Sequence, residues 1–471
     1  MRKDLRKGFD LNLHFRKRFS TGSVNIFIYF VAIAVVGSAL LQLPIFHKDF
    51  MSINYIDTLF TTVSALCVTG LCPIDIERFN IAGLSLLMLI IELGGLGLIA
   101  FFSIYIALPA RRLSLVSRHV VRDFFVSDVE TNHVNIVKQI VIYSLVIQFL
   151  GGLFLSDILK ENSEENYLFF GFFLSVSAFC NAGFAPWSDS LHHLNTNIPF
   201  NFVVMFLIVF GGLGFTVMQD VIYWCVTRAK RILFGVGKKH EISLHSKIVF
   251  VMTVCLLAFP SVVYLVLEWG HAFRDLSVPS KILNSVFQSV TCRTAGFELV
   301  AEGDFTPAST FVSELLMAIG GNPGSMAGGI KTTTVFLVLC QSFKTSADVG
   351  YLSIFHRDID YSDTDKAASV LLKAILFIGV VVFALLLSEH SSIMAGRISS
   401  GDITFEAISA IGTAGLTRGI TPLLNPLSKI ILIVAMYGGR TGIITLSLSI
   451  PMKSQMVKRF VDYPREQILV G

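Results

Sequence analysis

Charged residues are scarce in this chain. Asp, Glu, Lys and Arg make up 15% of its 471 residues, where a soluble globular protein carries about 25%. An excess of either sign is missing as well. The formal net charge is +4, and the basic residues fall in short clusters beside apolar stretches, so no nucleic-acid partner is expected. The seven cysteines (Cys67, Cys72, Cys180, Cys225, Cys255, Cys292, Cys340) are dispersed, with no CxxC and no histidine-rich neighbourhood. That spacing argues against a disulfide framework or a zinc site and favours small apolar side chains. No Ser-His-Asp or paired-carboxylate constellation is present, so the chain is not expected to be an enzyme or to hold a resident cofactor. A cleavable leader is not expected either, and the first apolar segment reads as a retained span. The apolar segment of about residues 24–46 that follows the basic start MRKDLRKG is too long for a signal-peptide core and lacks a small-residue cleavage site.

What is abundant is apolar: 53% of the residues are hydrophobic, in long runs that make lipid the solvent for most of the surface. A pattern repeats within them. ALCVTGLCPID, AFCNAGFAPWSD, VTCRTAGFELV and AIGTAGLTRGITP share the glycines Gly70, Gly183, Gly296 and Gly415, which are 113, 113 and 119 residues apart. A run of roughly 10–14 mixed apolar residues precedes each, too short to cross a bilayer but suited to a re-entrant helix. Before it stands a full-length apolar span, near 24–45, 135–156, 247–268 and 367–388. After it comes another, carrying Gly94-Gly95, Gly211-Gly212, Gly320-Gly321 or Gly438-Gly439. The fold class expected is an all-α membrane protein of four tandem helix–re-entrant pore helix–helix repeats, with pseudo-fourfold symmetry around one pore. The repeats fall at 24–108, 135–226, 246–344 and 367–450, with tails 1–23 and 451–471.

Orientation follows from Lys and Arg. The N-terminal tail, Arg111, Arg112, Arg118 and Arg122, then Arg228, Lys230, Arg231, Lys238 and Lys239, and finally Lys453, Lys458 and Arg459 share one side when eight spans are counted. That side is cytoplasmic, with both termini, and the glycine segments enter from the outside.

Backbone carbonyls replace the hydration shell of an ion without titratable groups. Irregular backbone at membrane depth survives only where it lines a water-filled cavity, and glycine permits the required positive φ. The candidate potassium ligands are therefore the main-chain carbonyls of Val68, Thr69 and Gly70, of Asn181, Ala182 and Gly183, of Thr294, Ala295 and Gly296, and of Thr413, Ala414 and Gly415. Tight helix packing explains any one such glycine, but not four in matched contexts. For the Gly-Gly pairs, close packing and ion contact both remain open.

Two features break the symmetry. Arg440 replaces Leu96 and Leu213 at the position after the Gly-Gly pair; a charge at this depth faces protein or water rather than lipid. It is expected to form a positive barrier below the filter, with a salt bridge to Glu92 as the structural alternative. In the third repeat, GGNPGSMAGGIKTTT interrupts a would-be span with glycines and a proline. The resulting loop, 320–334, contains Gly320, Gly321, Gly324, Ser325, Gly328, Gly329 and Lys331 and is the candidate gate. Its likeness to a phosphate-binding loop is superficial, since Ile330 separates Lys331 from Gly329 and no parallel-strand domain surrounds it.

These motifs resemble the Trk/Ktr/HKT superfamily of potassium transporters: CVTGL, CNAGF, TCRTAGF and GTAGLTRGITP its four filters, GGIKTTT its intramembrane gating loop. The likeness extends over nearly the whole chain and is nearest to the bacterial Ktr membrane subunits, because the chain begins directly with the first repeat. It implies a homodimer with one pore per protomer in the inner membrane, resting on a cytoplasmic ring of nucleotide-binding KtrA-type regulators. It also implies potassium uptake with sodium as an activating or coupled ion. Gly70 stands where sodium-selective plant relatives have serine, which favours potassium; the alternative is a sodium-permeable or weakly selective cation transporter of the same superfamily. GGRTGIIT departs from the family's usual run, and Arg418, just outside the fourth filter, is expected to repel cations.

Overall fold

A computed structural model of the chain describes residues 21–48, 53–107, 133–162, 164–234, 241–343 and 352–441. Both expected tails (save 21–23), Arg111, Arg112, Arg118, Arg122, Lys238, Lys239 and the stretch 442–450 lie outside these residues. The described residues are overwhelmingly helical. The helices are α1 (Thr21–Leu41), α2 (Tyr55–Leu66), α3 (Ile81–Ala107), α4 (His133–Glu161), α5 (Tyr167–Cys180), α6 (Ile198–Leu213), α7 (Phe215–Phe234), α8 (Leu244–Glu268), α9 (Val278–Thr291), α10 (Pro307–Ala318), α11 (Thr332–Ser342), α12 (Tyr361–Ser388), α13 (His390–Met394), α14 (Ser400–Gly412) and α15 (Pro426–Thr441). The strands β1 (Leu352–Ile354) and β2 (Arg357–Ile359) form an antiparallel hairpin.

Local chemistry sets the helix starts. Ser243, Ser277 and Thr306 each accept the backbone N–H three residues on, opening α8, α9 and α10. Ser399 and Asp402 form a reciprocal capping box at α14. Pro199, Pro279 and Pro307 stand in first turns, where a missing N–H costs nothing.

Burial is inverted relative to a soluble protein. On α12, Leu372, Ile375, Leu376, Val380, Phe383 and Leu387 face outward, whereas Thr58, Thr61, Thr62 and Ser64 of α2 are completely buried. Apolar groups meet lipid and polar ones collect inside, where side chains and carbonyls satisfy one another. Thr61 and Thr62, for example, donate to the carbonyls of Asp57 and Thr58. Among the described residues, three stretches, Gln139–Glu161, Leu244–Glu268 and Ser362–Ser388, are long and apolar enough to cross a bilayer unbroken.

A fourth spanning stretch is broken. α6 and α7 meet at Gly214 with a bend of 104°, where the sequence reading expects one continuous helix. In the third repeat the chain leaves the helix at Ile319 and re-enters it at Thr332. A parallel bridge between Ile319 and Ile330 closes the neck of that loop.

Candidate ion-binding site

The four short helices α2, α5, α9 and α14 each lead into a glycine segment, and the segments meet. Their backbones follow one course. Val68, Asn181, Thr294 and Thr413 take left-handed φ values of 56°, 59°, 70° and 50°, and two residues later Gly70, Gly183, Gly296 and Gly415 take 103°, 71°, 78° and 87°. Positive φ is uncommon outside glycine, so its recurrence at four matched non-glycine positions marks one shared local geometry.

The glycines form a closed ring. A Cβ added to Gly70 would stand 2.8 Å from the Ala182 carbonyl oxygen, one on Gly183 2.9 Å from that of Ala295, one on Gly296 2.6 Å from that of Ala414, and one on Gly415 2.1 Å from that of Thr69. Each glycine thus abuts the carbonyl of the residue before the next glycine, and the fourth returns to the first. Only hydrogen fits at these four positions. Thr69, Ala182, Ala295 and Ala414 are fully buried around the ring. The buried hydroxyls of Thr69, Thr294 and Thr413 have no protein partner, so the surroundings offer oxygen rather than charge. Asn181 does not add to this set, because its side-chain amide donates back to the carbonyls of Ile208 and Ala178.

The segments are tied across their far ends. Glu77 accepts from the N–H and hydroxyl of Ser188, both at 3.1 Å. Glu298 accepts from the Thr417 N–H at 3.2 Å, and its own N–H donates to the Ser190 hydroxyl at 3.1 Å. The His192 Nε2 lies 3.8 Å from Glu298, whose carboxylate raises the imidazole pKa. Arg418, expected to repel cations, is paired with Asp402 at 3.3 Å, which neutralises much of its field.

Directly behind the ring lies the loop of the third repeat. A Cβ on Gly328 would stand 2.1 Å from the Thr413 hydroxyl, so the loop touches the fourth glycine segment. Its anchors come from three other parts of the chain. Met326 and Asn322 donate backbone N–H groups to the carbonyls of Gly211 and Gly212 at 3.2 and 3.3 Å. The Phe215 N–H donates to Gly324 at 3.0 Å. Arg440 donates to the Met326 carbonyl and, at 2.9 Å, to that of Gly94. Glu92 is not the partner seen for Arg440; it accepts from Gln148 at 3.1 Å and from the Cys180 thiol at 3.4 Å. Lys331 turns back within the loop to donate to Ala327 at 2.8 Å. Gly320, Gly321, Gly324, Ser325, Gly328, Gly329, Lys331 and Arg440 are therefore brought together on one side of the ring.

One glycine in three of the Gly-Gly pairs serves packing. A Cβ on Gly94, Gly211 or Gly439 would stand 1.9 Å from the carbonyl of Leu66, Phe179 or Ile411, the last turns of α2, α5 and α14. Asp220 accepts from the hydroxyls of Ser243 and Ser246, both at 2.6 Å, fastening the start of α8 rather than lining the ring. Four residues escaped the sequence reading: Ser64, Ser177, Thr291 and Ser409, whose hydroxyls bond the backbone of the glycine segments. Their signal is legible afterwards, as a serine six residues before the glycine in three of the four segments.

Comparison with known proteins is consistent with this geometry. The family model described as TrkH, cation transport protein, matches residues 11–459. The potassium/sodium uptake protein NtpJ of Enterococcus hirae is 33% identical over 459 residues, 97% of this chain and 98% of that protein. The Ktr system potassium uptake protein B of Bacillus subtilis is 32% identical over 449 residues, 94% and 96% of the two chains. The crystal structure of the potassium transporter TrkH from Vibrio parahaemolyticus superposes with a TM-score of 0.72 at 17% identity, covering 93% of this chain and 86% of that one. At that identity the likeness concerns the fold alone.

Proposed function

We propose that this chain, which belongs to the TrkH family of cation transport proteins, carries potassium into the cell through a pore whose selectivity filter is the ring of four glycine segments. One observation carries the reading: the glycines of four segments 113 to 119 residues apart close on one another, each against a neighbour's carbonyl oxygen. A dehydrated cation there meets main-chain oxygens in place of water. The short helices point their C-terminal ends, which carry partial negative charge, toward it. Potassium is the cargo, held by the carbonyls of residues 68–70, 181–183, 294–296 and 413–415.

The loop 320–334 is the gate, a reading supported by its position against Thr413 and by the bond from Arg440 to its Met326 carbonyl. The basic clusters of the sequence orient the protein in the inner membrane with both termini cytoplasmic. The Bacillus relative is named for a Ktr system, in keeping with a homodimer on a ring of nucleotide-binding regulators. A second reading, weaker discrimination against sodium, is favoured by the name of the Enterococcus relative, which covers both ions; Gly70 in the first segment weighs for potassium.

Rubidium uptake into proteoliposomes, competed with potassium, sodium and lithium, tests the proposal. Potassium is expected to compete far more strongly than sodium. Equal competition by sodium overturns potassium selectivity, and no uptake under any gating condition overturns the pore.

A further inference from the structure

The hydroxyls behind the ring are not arranged fourfold. In the first and fourth segments the Gly70 and Gly415 N–H groups donate to Ser64 and Ser409, both at 3.1 Å. In the second and third the donor lies one residue further on, with the Phe184 N–H bonded to Ser177 at 3.0 Å and the Phe297 N–H to Thr291 at 2.9 Å. A trans peptide is planar, with its N–H and C=O pointing in opposite directions. Drawing an N–H back onto the short helix therefore turns the carbonyl of the preceding residue away from that helix. Ser64 and Ser409 set the carbonyls of Thr69 and Ala414, whereas Ser177 and Thr291 set those of Gly183 and Gly296.

The layer beneath is held by main-chain bonds in all four, reaching five residues back in the first, second and fourth segments and four in the third, where the Gly296 N–H also reaches the Thr291 carbonyl at 3.4 Å. The N–H groups of Thr69, Ala182, Ala295 and Ala414 donate to the main-chain carbonyls of Ser64, Ser177, Thr291 and Ser409 at 2.8, 2.7, 2.9 and 2.8 Å, which turns the carbonyls of Val68, Asn181, Thr294 and Thr413. In the third segment Val290 occupies the serine position and the hydroxyl has moved one residue on, to Thr291. There it also donates to the Phe297 carbonyl at 2.7 Å.

We infer that Ser64, Ser177, Thr291 and Ser409 are positioning residues for ion selectivity, with Ser64 and Ser409 holding the middle carbonyl layer and Ser177 and Thr291 the outer one. The inference rests on the reading of the ring as a filter. The hydroxyl restraint on the filter is thus twofold, first and fourth segments against second and third, although the ring of glycines is fourfold; the third segment adds one main-chain bond at the middle layer, from the Gly296 N–H to the Thr291 carbonyl. A carbonyl released from such a restraint yields to a smaller ion, so each pair controls a different property. The middle layer controls discrimination. The outer layer, the first protein oxygens that an entering ion meets, controls capture.

Rubidium uptake by the full chain in proteoliposomes separates the two roles. Ser64→Ala and Ser409→Ala are expected to lower potassium-over-sodium discrimination about tenfold, the scale of one or two lost hydrogen bonds, while the half-saturating rubidium concentration moves less than about twofold. Ser177→Ala and Thr291→Val are expected to raise the half-saturating concentration about tenfold while lowering discrimination less. Ser64→Thr and Ser409→Thr keep the hydroxyl and restore discrimination, which a loss of folding does not allow. Unchanged discrimination in well-folded Ser64→Ala and Ser409→Ala overturns the inference, as does the same response from both pairs. Failure of the filter reading itself shows separately, as unchanged discrimination in Gly70→Ser.

Discussion

Gly415 and Gly212 illustrate how differently two glycines of one membrane protein are constrained. Gly415 has φ +87°, and its Cβ would stand 2.1 Å from a backbone oxygen, an atom that no side-chain rotation removes. Gly415→Ala is expected to lower potassium-over-sodium discrimination at least tenfold, about the effect of a 1.4 kcal/mol change, in the rubidium competition assay. For Gly212 the nearest atom is the Asn181 side-chain amide at 3.5 Å. Gly212→Ala is accordingly expected to keep uptake within about twofold of wild type. Glu302, in the turn between the third glycine segment and α10, is constrained by charge. Burial first, and then the neighbouring Glu298 charge, push its pKa up to about 8. The folded chain keeps a proton that the unfolded chain releases above about pH 4.3, so stability is lost as pH rises from there through 8. Glu302→Gln removes this dependence. Thermal unfolding is expected to show a higher Tm than wild type at alkaline pH, with a difference that shrinks toward pH 5.

The loop of the third repeat is the element proposed as the gate. It combines a lack of regular structure with anchors on α6, α7 and, through Arg440, α15. Arg440→Ala removes a charged donor from the Met326 carbonyl and from Gly94, a loss large enough to raise the open fraction, and with it rubidium flux, about tenfold. Unchanged or lower flux removes the loop–arginine latch. Deletion within residues 324–329 is expected to leave flux high without any regulator, and low, regulator-dependent flux after the deletion shows that the gate lies elsewhere. At this scale the sequence was informative about composition and silent about partners. A break with five glycines and a proline between 320 and 329 excludes a helix by itself. That Arg440 would reach Met326, 114 residues away in sequence, does not follow from any local pattern.

Across the whole molecule, the first and last described helical pairs are joined by an ion pair, buried Lys429 of α15 with half-buried Asp57 of α2 at 2.6 Å. Removing Lys429 leaves the half-buried Asp57 carboxylate without its partner, so Lys429→Met is expected to destabilise the protein by about 1.5 kcal/mol, and the double variant with Asp57→Asn to recover part of it. Unfolding in detergent checks both. The amino-acid sequence alone determined the apolar, helical character of the chain and the four glycine positions, because each depends on apolar content and backbone freedom that recur in register along the chain. It did not determine what those parts meet. Gly94-Gly95-Leu96-Gly97 and Gly211-Gly212-Leu213-Gly214 are the same four residues, yet α3 runs straight through the first and the second bends by 104°. At Gly214 the Pro323 carbonyl lies 2.6 Å from where a Cβ would be, and Gly324 accepts the Phe215 N–H. A hydrogen bond supplied from another repeat replaces the one that the helix gives up, and only the tertiary structure says which of two identical motifs receives it.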